Sequence, residues 1–287
     1  MTQPSRPSVS VVVPFLGGSE DARRLRANLA ALELGDQDQI VVADNTAAGV
    51  AAGMAGGRIS VLPASAERSS YHARNAGARE ATGEWLLFMD ADCTPVPDLL
   101  DTYFREPVPS GCGALAGGIA GDPGQASFIA RYTRDRKFFD QTDGLHGQRQ
   151  NGAATGNLMV RRTAFEEIDG FCEGIRSAGD VDLSWRLQGA GWTLEYRPQA
   201  LVAHRHREGL ASLMGAIVRY GAGASWLNER YPGAAPRWPL VPGLRGTVVD
   251  MVKLTARGRF EPALYRAVDG LGLVAHNIGY VSSNRAS

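Results

Sequence analysis

The run "EWLLFMDAD" (84–92), together with the apolar runs before it, restricts the fold more than any other feature. "SVSVVVPF" (8–15), "DQIVVADN" (38–45) and "RISVLPA" (58–64) are apolar and β-branched without the strict alternation of a half-exposed strand. Strands of that kind are covered on both faces, which is the habit of parallel sheets. The intervening "EDARRLRANLAALEL" (20–34) and "SSYHARNAGAREAT" (69–82) read as the covering helices. In such sheets ligands bind beyond the carboxyl ends of the strands. Three of these strands end there in polar or turn residues: Pro14-Phe15, Asp44-Asn45 and Asp90-x-Asp92.

The 287 residues suffice for one large α/β domain with an appendage, and 44% hydrophobic residues can fill its core. Lys plus Arg equals Asp plus Glu, 30 of each, which argues against a nucleic-acid partner held by bulk charge. Cys93, Cys112 and Cys172 are spaced like neither a disulfide framework nor a zinc site, and read as reduced cytosolic thiols. No apolar stretch reaches the roughly 18 residues of a membrane span. The expectation is a cytoplasmic protein, soluble or peripheral at the inner face of the membrane.

Residues 107–156 are Gly-rich around a polar helix, "FIARYTRDRKFFDQ" (128–141), and segments 111–124 and 144–156 are expected to act as lids. Next come "NLMVRR", a short helix "TAFEEI", a helix "DVDLSWRLQGAG" and a strand "WTLEYRPQALVAHRH" (192–206). From about residue 208 the pattern is helical: "LASLMGAIVRYGAGASWLNERYPG" (210–233), a Pro/Gly/Arg stretch, then "ALYRAVDGLGLVAHNIGY" (263–280).

Each chemistry-bearing cluster has two readings when taken alone. Asp90 and Asp92 either cap a turn or hold Mg²⁺ or Mn²⁺, which take one or two carboxylates and complete their shells with phosphate and water. Arg74 and Asn75 start a helix, where free N–H groups and a guanidinium suit phosphate, or they only pack it on the sheet. Asp44 and Asn45 contact a base or ribose, or form an Asx turn. Asp180 and Asp182 are helix caps, or one is a general base. His204 and His206 are metal ligands or plain surface histidines.

In order and content, "SVVVPF", "IVVADN", "ARNAGAREATGEWLLFMDADCTP", "GNLMVRRTAFEEIDGF", "GDVDLSWRLQGAGW" and "ALVAHRH" resemble glycosyltransferase family 2, of the GT-A fold, over residues 8–207. The stretch after His204 is similar to the helix that follows the catalytic domain in mycofactocin-type actinobacterial members. The resemblance implies a mostly parallel α/β sheet flanked by helices. Its nucleotide-sugar half would span about 8–105, its acceptor half about 106–207, and a helical extension 208–287. It also implies an inverting enzyme that takes a nucleoside-diphosphate sugar, a UDP-sugar first, to an acceptor hydroxyl that is lipid-linked or on a natural product.

By the same resemblance Asp90 and Asp92 form a DxD holding Mn²⁺ or Mg²⁺, with His204 or His206 as a late ligand. Pro14, Phe15, Asp44, Asn45, Arg74, Asn75, Asp182 and Trp185 would contact substrate, and Asp180 would deprotonate the acceptor. One departure stands out: Gly179 occupies the place where the family usually has Glu. A sugar nucleotidyltransferase and a non-catalytic nucleotide-sugar binder remain alternatives; "PFLGGSEDARR" lacks the Lys that the former uses on a triphosphate. The C-terminal helices are expected to pack on the catalytic part, to meet a second subunit as a homodimer, or to rest on a membrane.

Overall fold

The computed structural model describes residues 6–142 and 152–286. Among them, eight strands form one sheet: β1 (Val9–Phe15), β2 (Gln39–Asp44), β3 (Ile59–Pro63), β4 (Trp85–Met89), β5 (Cys93–Pro95), β6 (Cys112–Gly121), β7 (Asn157–Arg161) and β8 (Thr193–His204). Their spatial order is β3-β2-β1-β4-β7-β6-β8-β5. β3, β2, β1 and β4 run parallel. β1, β2 and β4 are buried on both faces, whereas β3, expected to be covered in the same way, is the edge strand and buries no residue fully. β7 enters antiparallel between β4 and β6, and β5 pairs antiparallel with β8. The chain steps outward from β1 to β2 and β3, then returns to place β4 on the other side of β1. A crevice therefore opens between the carboxyl ends of β1 and β4.

The helices are α1 (Ser19–Ala30), α2 (Ser70–Glu80), α3 (Leu99–Tyr103), α4 (Phe128–Asp135), α5 (Arg162–Glu167), α6 (Gly179–Gly189), α7 (Leu210–Arg230), α8 (Leu240–Ala256) and α9 (Phe260–Tyr280). Successive residues of a strand face opposite ways. Val9, Val11, Val13 and Phe15 of β1 accordingly pack with Leu25 and Leu29 of α1, while Val12 joins a second core with Phe88, Phe165 and Leu183. A third cluster, built on Tyr132, Leu213, Ile217 and Val268, ties α7 and α9 to α4.

One expectation requires correction. Segment 111–124 is no lid: residues 112–121 are β6, an interior strand. Its glycines allow close packing, since a Cβ on Gly117 would stand 2.1 Å from the Asn157 amide nitrogen and 2.3 Å from the Tyr103 hydroxyl. The companion expectation at 144–156 lies outside the described residues up to 151. The Pro/Gly/Arg stretch, to which the sequence assigns no element, contains α8. Pro242 falls in the first turn, where no intrahelical N–H is missed. Gly243 faces Leu273 of α9, where a Cβ would come to 2.4 Å.

The α7–α9 crossing rests on the same device. A Cβ on Gly279 would lie 1.9 Å from the Val218 carbonyl oxygen, and one on Gly221 would lie 2.1 Å from that of His276. Gly279→Ala must push the two helices apart, and overpacking of this kind costs about 1–3 kcal/mol or more. The expected readout is a lower urea midpoint at unchanged m-value.

Candidate functional site

A cleft of about 770 Å³ occupies the β1–β4 crevice. Pro14 and Phe15 line it from the end of β1, Arg74 from α2, Asp90 and Asp92 from the turn after β4, and His204 from the end of β8. These six line one cleft. The β5–β8 pairing sets Cys93 opposite His204, and the Arg205 N–H donates to the Asp92 carbonyl oxygen at 3.0 Å. That register brings the Asp92 carboxylate to 3.3 Å from His204 Nε2. Asp90 is held by Arg74, whose guanidinium lies over the rings of Tyr71 and Phe171 at 5.6 and 5.8 Å.

The donor set fits a hard divalent cation. Ligand atoms of Asp92, Cys93 and His204 lie within 4.8 Å of one another. Burial pushes the Cys93 thiol well above its ordinary pKa, and it points to the Gly156 carbonyl oxygen, so a neutral sulfur is the poorest of the three ligands. This leaves a carboxylate, which suits Mn²⁺ or Mg²⁺, and an imidazole, which favours Mn²⁺ of the two. The Asp92 carboxyl is walled in by protein yet opens half its surface to the cleft; burial raises its pKa, against the pull of His204.

His206 is a different case. It lies over Phe139 with ring centroids 5.7 Å apart and packs against the backbone at Gly121, where a Cβ would meet its Nε2 at 2.4 Å. Burial lowers its pKa to about 4. An unfolded chain binds this proton near pH 6.5 and the folded one only near 4, so stability falls as pH drops through that window. The loss is about 3 kcal/mol at most by linkage. A thermal-unfolding series from pH 7 to 4.5 should be steeper for the protein than for His206→Asn.

Asp180 stands beside the cleft at the start of α6, and burial raises its pKa; Arg74 opposes the shift and Asp90 adds to it. The helix is entered through Ala178, a non-glycine residue at φ 71°. Gly179 now has a physical reason: a Cβ there would lie 2.8 Å from the Tyr71 ring, so the tyrosine fills the space a longer residue would take.

Other predicted contacts point elsewhere. The buried Asp44 carboxylate accepts from Thr46 N, Thr46 Oγ1 and Ala51 N at 2.9, 2.6 and 2.7 Å, which is the turn reading. Asn45 donates to the carbonyls of Ala64 and Glu67. Asn75 fastens the 171–173 loop through Phe171 and Glu173. Asp182 is fully buried between Arg186, Arg230 and the Tyr231 hydroxyl, and Trp185 packs edge-on against Tyr231. The cleft also holds residues that no sequence motif marks as cleft residues: Tyr220 and the arginines 68, 176, 207 and 219. Arg207 directly follows His206, but isolated arginines carry no periodic signal.

A doubly wound sheet with an acidic turn at its switch point, answered by a histidine from the far half, defines a nucleotide-diphosphosugar fold of the GT-A class. Glycosyl transferase family 2 matches residues 10–169, and the chain belongs to that family. It is 31% identical over 244 residues to the pre-mycofactocin glycosyltransferase of Mycobacterium tuberculosis, covering 80% of this chain and 49% of that one. The chain thus spans about half the length of this relative. Glycosyltransferase AglE of Haloferax volcanii is 25% identical over 234 residues, 78% of this chain and 76% of its own. The mannosyltransferase PcManGT of Pyrobaculum calidifontis, solved with GDP-Man and Mn²⁺, superposes at TM-score 0.63 and 17% identity, over 96% of this chain and 88% of its own. GalNAc-T7, solved with UDP, GalNAc and Mn²⁺, superposes at 0.53 and 16% identity, over 70% and 44%.

Proposed function

We propose that this protein is an inverting glycosyltransferase that moves a sugar from a nucleoside diphosphate, UDP first, to an acceptor hydroxyl. The observation that carries the reading is the Asp92–His204 pair beside Asp90 in the switch-point cleft. Asp90, Asp92 and His204 would hold Mn²⁺ or Mg²⁺, which supplies positive charge for the departing diphosphate. Arg68 and the N-terminus of α2 lie at the same wall and suit the phosphates. Pro14 and Phe15 border the nucleoside side. Asp180 takes the acceptor proton, and its raised pKa makes it a stronger base than an ordinary carboxylate. The catalytic unit would span 1–207, with 208–287 as its extension.

Thermal shifts with UDP-, GDP- and dTDP-sugars in Mn²⁺ test the reading, because a ligand that binds only the folded state raises its stability. At least one should raise the Tm in a metal-dependent way; no shift with any of them would sink the proposal. Slow hydrolysis of the stabilising donor without acceptor would separate an enzyme from a non-catalytic binder.

The extension supports peripheral attachment to an anionic membrane, on the inner face. No helix among the described residues is long and apolar enough to cross a bilayer. Yet α8 buries no residue, and Val241, Val248 and Val252 stand 76, 57 and 64% exposed. Arg245, Lys253 and Arg257 accompany them along α8 and the residue after it, with Asp250 the one acid of the helix. Apolar side chains among cations match an anionic lipid surface. The protein should sediment with phosphatidylglycerol vesicles, and Val248→Asp with Val252→Asp should abolish it. A homodimer using this face would instead show in sedimentation equilibrium, without vesicle binding.

A further inference from the structure

The cleft holds more positive charge than a nucleotide sugar can neutralise. Among the described residues, Arg68, Arg176, Arg207 and Arg219 line it, and none of the four lies within 4.0 Å of a carboxylate oxygen. The other two cleft arginines are matched, Arg24 by Glu20 and Asp21 and Arg74 by Asp90. Arg219 donates only to the Gly215 carbonyl oxygen of its own helix, and Arg176 to that of Ser283. A divalent ion adds two charges, whereas Asp92 and a diphosphate remove about three. The four free guanidinium groups then leave roughly three positive charges unanswered.

Their placement separates them. Arg68 adjoins the start of α2, with the proposed diphosphate. Arg176 precedes α6, Arg219 sits in the second half of α7's first three turns, and Arg207 follows β8. Arg219 feels the repulsion of both Arg207 and Arg176 on top of its burial, so the three form one cluster. Tyr220, exposed beside Arg219, shares electrostatic surroundings with Arg207, Arg219 and Asp180. The helix that carries Arg219 packs on the residues between Arg176 and Asp180, since a Cβ on Gly223 would lie 2.9 Å from Ser177 and Ala178, so the cluster stands on the Asp180 side of the cleft. Like charges gathered in a partly buried wall destabilise the free protein, and a bound anion offsets that cost. Guanidinium forks suit phosphate or carboxylate oxygens in pairs.

We infer that Arg176 and Arg219, with Arg207, form a second anion seat that holds a phosphate or carboxylate borne by the acceptor next to the hydroxyl that is glycosylated. This rests on the glycosyltransferase reading of the same cleft.

The test titrates inorganic phosphate, and acetate in parallel, into the full chain by calorimetry with Mn²⁺, in the presence and absence of saturating UDP. Phosphate or acetate should bind alongside UDP, and Arg176→Gln with Arg219→Gln should weaken that binding at least tenfold while shifting UDP affinity less than twofold. Far-ultraviolet circular dichroism and Tm of the double variant check that it folds; Arg176→Lys with Arg219→Lys should restore part of the affinity if charge is what matters. Competition between phosphate and UDP would assign the arginines to the donor and overturn the inference. So would the absence of anion binding, or a large loss of UDP affinity in the double variant. Failure of UDP, GDP and dTDP alike to bind counts against the glycosyltransferase reading instead, and the titration without nucleotide still reports on the seat. Phosphatidic acid vesicles offered to protein carrying Val248→Asp and Val252→Asp, which removes the α8 surface, distinguish the source: vesicle binding that Arg176→Gln with Arg219→Gln then abolishes marks a lipid headgroup, and phosphate binding without vesicle binding in that background marks a soluble acceptor.

Discussion

Asp92→Asn is expected to lower metal-dependent transfer by roughly 10³-fold in kcat/KM, since a metal's electrostatic support of a leaving group is worth several kcal/mol and each 1.36 kcal/mol is tenfold. Asn keeps the size of the side chain but loses the charge that faces His204 across 3.3 Å. Half of the Asp92 side chain opens to the cleft, so the fold should tolerate the change and the Tm should move little. Asp44→Asn is the contrasting control. That carboxylate accepts three hydrogen bonds inside a turn, and an amide must turn a donor toward an N–H or hydroxyl. Its effect should appear as about 1–3 kcal/mol of lost stability, with transfer in the folded fraction largely kept. Undiminished transfer by Asp92→Asn at saturating Mn²⁺ would remove the metal role.

This contrast also marks what could be read from the residues. The parallel half of the sheet was legible because β1, β2 and β4 must bury both faces, and a two-sided apolar run has few other homes. Asp90 and Asp92 were legible at the edge where strand ends converge, but which of His204 and His206 faces them was not, because both follow the same strand two residues apart. Asp44 ends its strand in the same way, yet its oxygens close a local turn. Composition cannot tell a carboxylate that faces a ligand from one that faces its own chain two and seven residues on. β6 was hidden by its glycines, which weaken a strand in isolation but are required where Tyr103 and Asn157 press against the backbone. α8 was masked by Pro242, Gly243 and Gly246; of these, Gly243 is required where Leu273 of α9 presses against the helix. The basic wall was illegible for a further reason: Arg68, Arg176, Arg207 and Arg219 come from four separate segments and meet only in three dimensions.

Asp180→Asn is expected to cut kcat by about 10²–10⁴-fold, the usual worth of a positioned general base. The carboxylate Oδ1 accepts the Val181 N–H at 3.0 Å, a bond that an amide oxygen retains, so the start of α6 should stay in place. Donor affinity should change little. The pH profile gives a second readout. Burial raises the Asp180 pKa, so the base is protonated, and transfer is lost, at a higher pH than for an exposed aspartate. The acidic limb of kcat should therefore lie above the ordinary carboxylate range, and it should vanish with the residual rate of Asp180→Asn. Asp182 is the rival base, two residues on. It is fully buried against Arg186, Arg230 and Tyr231, so Asp182→Asn should lower the Tm and leave those two cations short of a partner. Residual transfer in its folded fraction should keep the wild-type pH profile. Near-normal kcat in Asp180→Asn, beside a folded but inactive Asp182→Asn, would move the base to Asp182 and require α6 to turn toward the cleft.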